Sequence, residues 1–163
     1  MKYFITEQDI KDNTTVQQNV DASLLQPFIS LAQDKHIKKV LSMGLYGELF
    51  LYVNRASETE VEDDMEDLLK ELKTACIYWT AVEALPFLQT KIANVGLINK
   101  AAAKGESIDA TSYRALENSF RTTADFYTGE LVTYLEKNVP QYPNYKAPKA
   151  DSTTRLLAGI SFD

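Results

Sequence analysis

Residues 109–138 read DATSYRALENSFRTTADFYTGELVTYLEKN, and they place Tyr113, Leu116, Phe120, Ala124, Tyr127, Leu131, Tyr134 and Leu135 mostly three or four positions apart. That spacing returns to one face of an α-helix at every turn, so the stretch predicts a long amphipathic helix with an apolar stripe that must be covered. Glu117 and Arg121 sit four apart and form a helix-surface ion pair. Pro140 and Pro143 end the helix, since proline lacks the N–H that the next turn requires.

The most enclosed helix is expected at ACIYWTAVEALPFLQ, residues 75–89. Its approach carries a one-sided stripe of Met65, Leu68, Leu69 and Leu72, which widens after Ala75 until the helix is apolar almost all round. A helix of that kind belongs at the centre of a bundle. Pro86 lies inside it and is expected to kink or break it near Ala84–Leu85. Cys76 falls on the apolar face, so it reads as packing rather than as a reactive thiol. A chain with one cysteine has no internal disulfide and no cysteine-based zinc site.

Working back toward the N-terminus, Ser23 and Gln26 form a capping-box pattern, and Pro27 is tolerated in a first turn. Leu24, Phe28, Leu31, Ala32, Ile37, Val40 and Leu41 follow as an apolar stripe, predicting a helix to about Ser42. Gly44 and Gly47 suggest a bend, followed by a shorter helix through GELFLYVNRA. Thr6 and Asp9 are a weak cap for one or two turns near the start, and NTTVQQNV reads as a polar connection. Together these patterns give an all-α fold: a bundle of three long helices plus one or two short ones, residues 1–139. A loop at 93–109, punctuated by Gly96 and Gly105, is inserted in it, with Val95, Leu97 and Ile98 as a short extended piece. Residues 140–163 read as an extended C-terminal arm carrying Leu156, Leu157, Ile160 and Phe162. Prolines at 140, 143 and 148 keep the arm from continuing the helix.

The chain has 163 residues, 45% hydrophobic and 25% charged, enough for one domain with a sizeable core. Its net charge of −6 and pI of about 4.9 disfavour wrapping nucleic acid or binding an anionic membrane, both of which need clustered Lys and Arg. Lys35, Lys38 and Lys39 form the one dense basic group and read as a solvated helix end. No apolar segment is long enough for a signal peptide or a membrane span, so no membrane association is expected.

A catalytic constellation is harder to find. The single histidine, His36, lies beside lysines on what reads as an exposed helix face, and Gln33 occupies the position a Glu-x-x-His di-metal motif would need. The acidic run ETEVEDDMEDLLKE, residues 58–71, lacks the spacing and turn glycine of a calcium loop. It reads as a helix start whose carboxylates complement the macrodipole. Glu83 stands as a lone acid and reads as a charge at the rim of the core. No catalytic residue, metal ligand or cofactor is therefore predicted, and enzymatic activity is not expected.

In order along the chain, ITEQDI, LLQPFISLAQDKHIKKVLSMGLYGEL, ALPFLQTKI, NVGLINK, RTTADFYTGELVTYLEKN and YPNYK resemble the head–tail connector (adaptor) proteins of tailed bacteriophages, in their Bacteroidetes-phage form. The resemblance spans nearly the whole chain and rests on core and capping residues. It implies a structural virion protein that forms a homo-oligomeric ring, usually a dodecamer, below the portal. Genomic DNA would pass through the ring without sequence-specific binding, and the ring would seat the next tail component. The implied partners are the portal protein and an adjacent tail or ring protein. The implied location is the virion's head–tail interface, after synthesis in the host bacterial cytoplasm. Loops and terminal arms of such rings reach their neighbours, which makes Leu156, Leu157, Ile160 and Phe162, with Val95, Leu97 and Ile98, the expected partner-binding residues. A cytosolic helical interaction or regulatory module without catalytic activity is the alternative reading.

Overall fold

Two long amphipathic helices organise the described residues, each burying the face its sequence marks as apolar. In the computed structural model, which describes residues 2–14, 22–55, 63–95 and 110–147, α4 runs from Asp63 to Val95 and α5 from Ala110 to Lys137. Among the described residues they share the most extensive helix–helix interface. Leu68, Leu72, Ala75, Cys76, Ala81 and Ala84 of α4 are fully buried, as are Ala124, Leu131 and Leu135 of α5. At 1.5 Å per residue, α4 is roughly 50 Å long and spans the whole bundle. Among the described residues every regular element is helical, and the architecture is the all-α bundle the patterning predicts. No helix of the described residues is long and apolar enough to cross a membrane.

The helix does not break near Ala84–Leu85: α4 continues through Pro86 to Val95. Proline removes one backbone hydrogen bond, but Ala81, Val82, Ala84 and Leu85 are all buried in the turn before it. Their packing outweighs the local penalty, which is about 3 kcal/mol for an unsupported helix interior. Val95 is accordingly the last residue of a helix and not part of an extended piece.

The shorter elements are held onto this pair by specific polar contacts. Helix α1, Glu7–Asn13, is capped as expected: the Thr6 hydroxyl accepts from the Asp9 amide at 3.2 Å and the Asp9 carboxylate accepts from the Thr6 amide at 2.8 Å. Ile10 is fully buried, and Lys73 of α4 pairs with Asp9 at 2.7 Å. Helix α2, Gln26–Ala32, has Pro27 in its first turn but no side-chain cap; Leu25 is the N-cap and a short 3-10 turn, Ala22–Leu24, precedes it. The expected Ser23–Gln26 box does not cap this helix because the 3-10 turn already supplies the entry: the Leu25 carbonyl accepts from both the Phe28 and Ile29 amides.

A π-helical turn, Gln33–Ile37, joins α2 to α3, Lys38–Asn54. Ala32 and Ile37 are both fully buried although they lie five positions apart, a spacing an α-helix cannot place on one face. The wider turn absorbs the mismatch. It also turns Gln33 inward, where its side-chain oxygen accepts from the Phe4 amide at 2.9 Å and pins the N-terminal segment. Leu31, read as part of the buried stripe, is instead 42% exposed.

The bend in α3 falls at Ser42, whose backbone sits at φ 66°, ψ 164°, rather than at the glycines that follow. That region is essentially reserved for glycine and costs a serine about 1–3 kcal/mol, so surrounding contacts must hold it. They come from the chain after α5. Val139–Gln141 forms a 3-10 turn, and the chain then folds back onto the bundle. Of the stretch expected as an arm from residue 140, Tyr142 is fully buried and Tyr145 is 8% exposed; both belong to the main hydrophobic core. The Tyr142 hydroxyl donates to the Asp64 carbonyl at 2.8 Å and, its proton committed, accepts from the Tyr134 hydroxyl at 2.9 Å. Proline stops a helix but does not keep the following residues off the core, and two tyrosines suffice to bring them back.

Candidate functional site

Of the residues expected to bind partners, Leu97, Ile98, Leu156, Leu157, Ile160 and Phe162 lie outside the described residues. Val95 closes α4. The described surface instead exposes large apolar side chains on several elements, Phe126 of α5 and Val139 among them, and two of these regions are candidate contact faces. The first is on α3, where Met43 is 72% and Leu51 71% exposed. They lie eight positions apart with Gly47 midway, so all three share one helix face, and a Cβ at Gly47 would meet nothing within 4 Å. The opposite stripe of α3, Leu41, Leu45 and Leu49, is fully buried and fixes which way the exposed one points.

The second region joins α2 to α4. Phe87 is 62% exposed, and its ring lies 4.9 Å from that of Phe28, itself half-buried. Leu31 is one turn beyond Phe28 on the same helix. Exposed aromatic and aliphatic groups grouped in this way mark contact surfaces more often than isolated ones do.

Between the second region and the core lies a polar cluster that the sequence did not reveal. His36 is not on an exposed face: its ring stacks on Trp79, with centroids 3.7 Å apart and planes 6° from parallel. Nor is Glu83 a lone acid. One of its carboxylate oxygens takes both His36 Nε2 and Lys35 Nζ at 2.7 Å. Burial pushes the Glu83 carboxyl up, but the His36 and Lys35 hydrogen bonds outweigh it, and its pKa is lowered. Burial lowers the pKa of His36, and the charges of Lys35 and Lys39 add to this against the pull of Glu83. Glu83 is therefore the ionised partner and can only accept, which makes His36 Nε2 the donor of a neutral imidazole. The Trp79 indole donates to the Thr128 hydroxyl at 2.9 Å, and Thr128 donates to the Ala124 carbonyl at 2.7 Å, extending the network to α5. The cluster clasps the π turn, α4 and α5 together. The sequence held one usable signal for it: the five-residue spacing of Ala32 and Ile37, which rotates His36 toward α4.

A third feature is an open cleft of about 500 Å³ between the start of α4 and the chain after α5, lined by Glu48, Asp63, Asp64, Met65, Gln141 and Pro143. Asp63, Asp64 and Glu66 occupy the first turn of α4, where carboxylates offset the helix dipole. Among the described residues no group of three or more His, Cys, Asp or Glu could hold a metal ion. Cys76 is fully buried, and burial pushes its thiol up to about 12, out of reach of thiolate chemistry near neutrality.

The chain after α5 closes one side of this cleft and docks on α3. The Ser42 hydroxyl donates to the Asn144 carbonyl at 3.1 Å and accepts from the Lys146 amide at 3.3 Å. Asn144 also bonds Glu48 through its side-chain amide. Gly44 lies directly beneath: a Cβ there would sit 3.0 Å from the Asn144 oxygen. Glycine at 44 thus lets the Asn144 backbone approach closely, and a side chain there would push it away by a few tenths of an ångström.

A family model described as "Family of unknown function (DUF6712)" matches residues 37–155, most of the chain. The protein belongs to the DUF6712 family. The matched span begins at the end of the π turn and contains α3, α4, α5 and both sides of the α3 contact with residues 142–146. Helices α1 and α2 and His36 precede it. No curated protein matches the chain, and no solved structure does.

Proposed function

We propose that this chain is a structural subunit of the head–tail connector of a tailed bacteriophage, one copy of a closed ring that sits below the portal, lets the genome pass and seats the next tail component. The observation that carries the reading is the pair of unlike apolar surfaces, Met43–Gly47–Leu51 on α3 and Phe28–Leu31–Phe87 on α2 and α4. A ring built from one chain needs two different, complementary faces per subunit, because head-to-tail contacts are heterologous. The order of the segments that resemble connector proteins supports the same conclusion, as does the net charge of −6. A ring of acidic subunits repels the DNA backbone and favours passage over adhesion. In this reading the α3 face of one copy packs against the Phe87 face of the next. The residues of 148–163 engage the portal or the adjacent ring.

The test is the size of the full chain, measured by light scattering and electron microscopy over a wide concentration range. A ring is expected for the wild type. Met43→Asp with Leu51→Asp removes one face and Phe87→Asp the other, so each variant alone should remain small. Mixing the two should give pairs, since one intact face of each kind survives, but no closed ring. A wild type that stays monomeric or dimeric at every concentration would overturn the assembly and favour a regulatory module. Variants that assemble like the wild type would overturn the choice of faces.

A further inference from the structure

Residues 142–147 meet the bundle with very different quality at their two ends. At Tyr142 the ring is fully buried and the hydroxyl both donates and accepts. At Tyr145 the ring is also buried, but its hydroxyl has no hydrogen-bond partner among the described residues, and a buried hydroxyl left unpaired opposes docking. On the other side of the contact, Ser42 is held in a backbone conformation suited to glycine. Its hydroxyl bonds to Asn144 and Lys146 hold it there, and both of those partners lie beyond Tyr142. One end of the segment is satisfied, while the other imposes strain on α3 and leaves a buried polar atom unpaired.

We propose that residues 143–147 form a strap that opens from α3 while Tyr142 stays seated. Opening lets Ser42 return to helical backbone, gives the Tyr145 hydroxyl to water and frees Glu48 from Asn144. It also uncovers Gly44, which lies beside Met43 in the chain, so the accessible surface of α3 next to its exposed apolar face widens. The strap therefore controls how much of α3 is available to a partner. The device is a property of the single chain and stands apart from the ring assembly.

Amide hydrogen exchange of the full chain, followed residue by residue by NMR, tests it. The Lys146 amide, bonded to Ser42, and the Tyr145 amide, bonded to the Tyr142 carbonyl, should exchange through a local opening. Their rates should be at least about a hundredfold above those of Leu72 and Leu131 in the core, and insensitive to low denaturant. Ser42→Ala removes the hydroxyl and keeps the strain, and should raise opening about tenfold. Ser42→Gly also removes the hydroxyl but relieves the strain, so it should open less than Ser42→Ala. Tyr145→Phe removes the unpaired hydroxyl and should lower opening several-fold. The inference is overturned if Tyr145 and Lys146 exchange only with global unfolding, if the two Ser42 variants open equally, or if Tyr145→Phe opens like the wild type.

Discussion

Replacing Tyr142 with alanine asks whether the chain after α5 is part of the domain or an appendage laid over it. The side chain is fully buried and joins α5, through Tyr134, to the first turn of α4, through the Asp64 carbonyl. Truncating a buried aromatic ring to alanine costs about 3–5 kcal/mol, the lost transfer energy plus the cavity. The hydroxyl contributes separately, because its loss deprives Tyr134 of an acceptor and the Asp64 carbonyl of a donor, worth about 1 kcal/mol. Tyr142→Ala should therefore cost about 4–6 kcal/mol, a large share of a stability that is about 5–15 kcal/mol for a typical domain. Tyr142→Phe, which keeps the ring, should lose only about 1 kcal/mol. Urea unfolding followed by far-UV circular dichroism gives both numbers on the full chain. The corresponding fall in Tm for the alanine variant is about 10–20 °C for a chain of this size. A loss below about 1 kcal/mol for Tyr142→Ala would refute the argument, since a ring that sits in the core cannot be removed so cheaply.

Acid should weaken the clasp of the π turn on α4 in two stages. His36 has a lowered pKa when folded, so folding favours its neutral form, and its contribution is present above 6.5 and lost as pH falls through the lowered value. Glu83 is also lowered, so its contribution is present above 4.5 and lost further down. Lys35, Lys39 and, from α5, Asp125 share this field and set its depth. Denaturant unfolding against pH should show stability falling below pH 6.5, with His36→Gln flattening the upper part of the curve and Glu83→Gln the lower; superimposable curves would refute the assignment. Deleting residues 151–163 should leave helical content and Tm nearly unchanged, because the core of the described residues closes at Tyr145; under the proposed connector role, it should weaken assembly with a partner. Unfolding or aggregation of that truncated chain would place those residues in the core instead.

The sequence by itself determined the fold class and the core of the long helices. Stripes such as Tyr113 to Leu135 repeat at the helical period over many turns, and burial follows that period wherever a partner helix covers it. Thr6 with Asp9 was legible for the same reason, since a capping box is a contact between near neighbours in the chain. What only the tertiary structure decided are contacts between residues far apart in sequence. His36 meets Glu83 because the π turn rotates it, and Tyr142 reaches Asp64 because the chain reverses after Pro140. Local rules also gave way where packing supplied more energy than they cost. Pro86 stays inside a helix because the turn before it is buried, and Ser42, not a glycine, takes the strained bend because Asn144 and Lys146 hold its hydroxyl. Period and caps are written into neighbouring residues, whereas the strap and the polar clasp depend on which distant side chains the packed helices bring together.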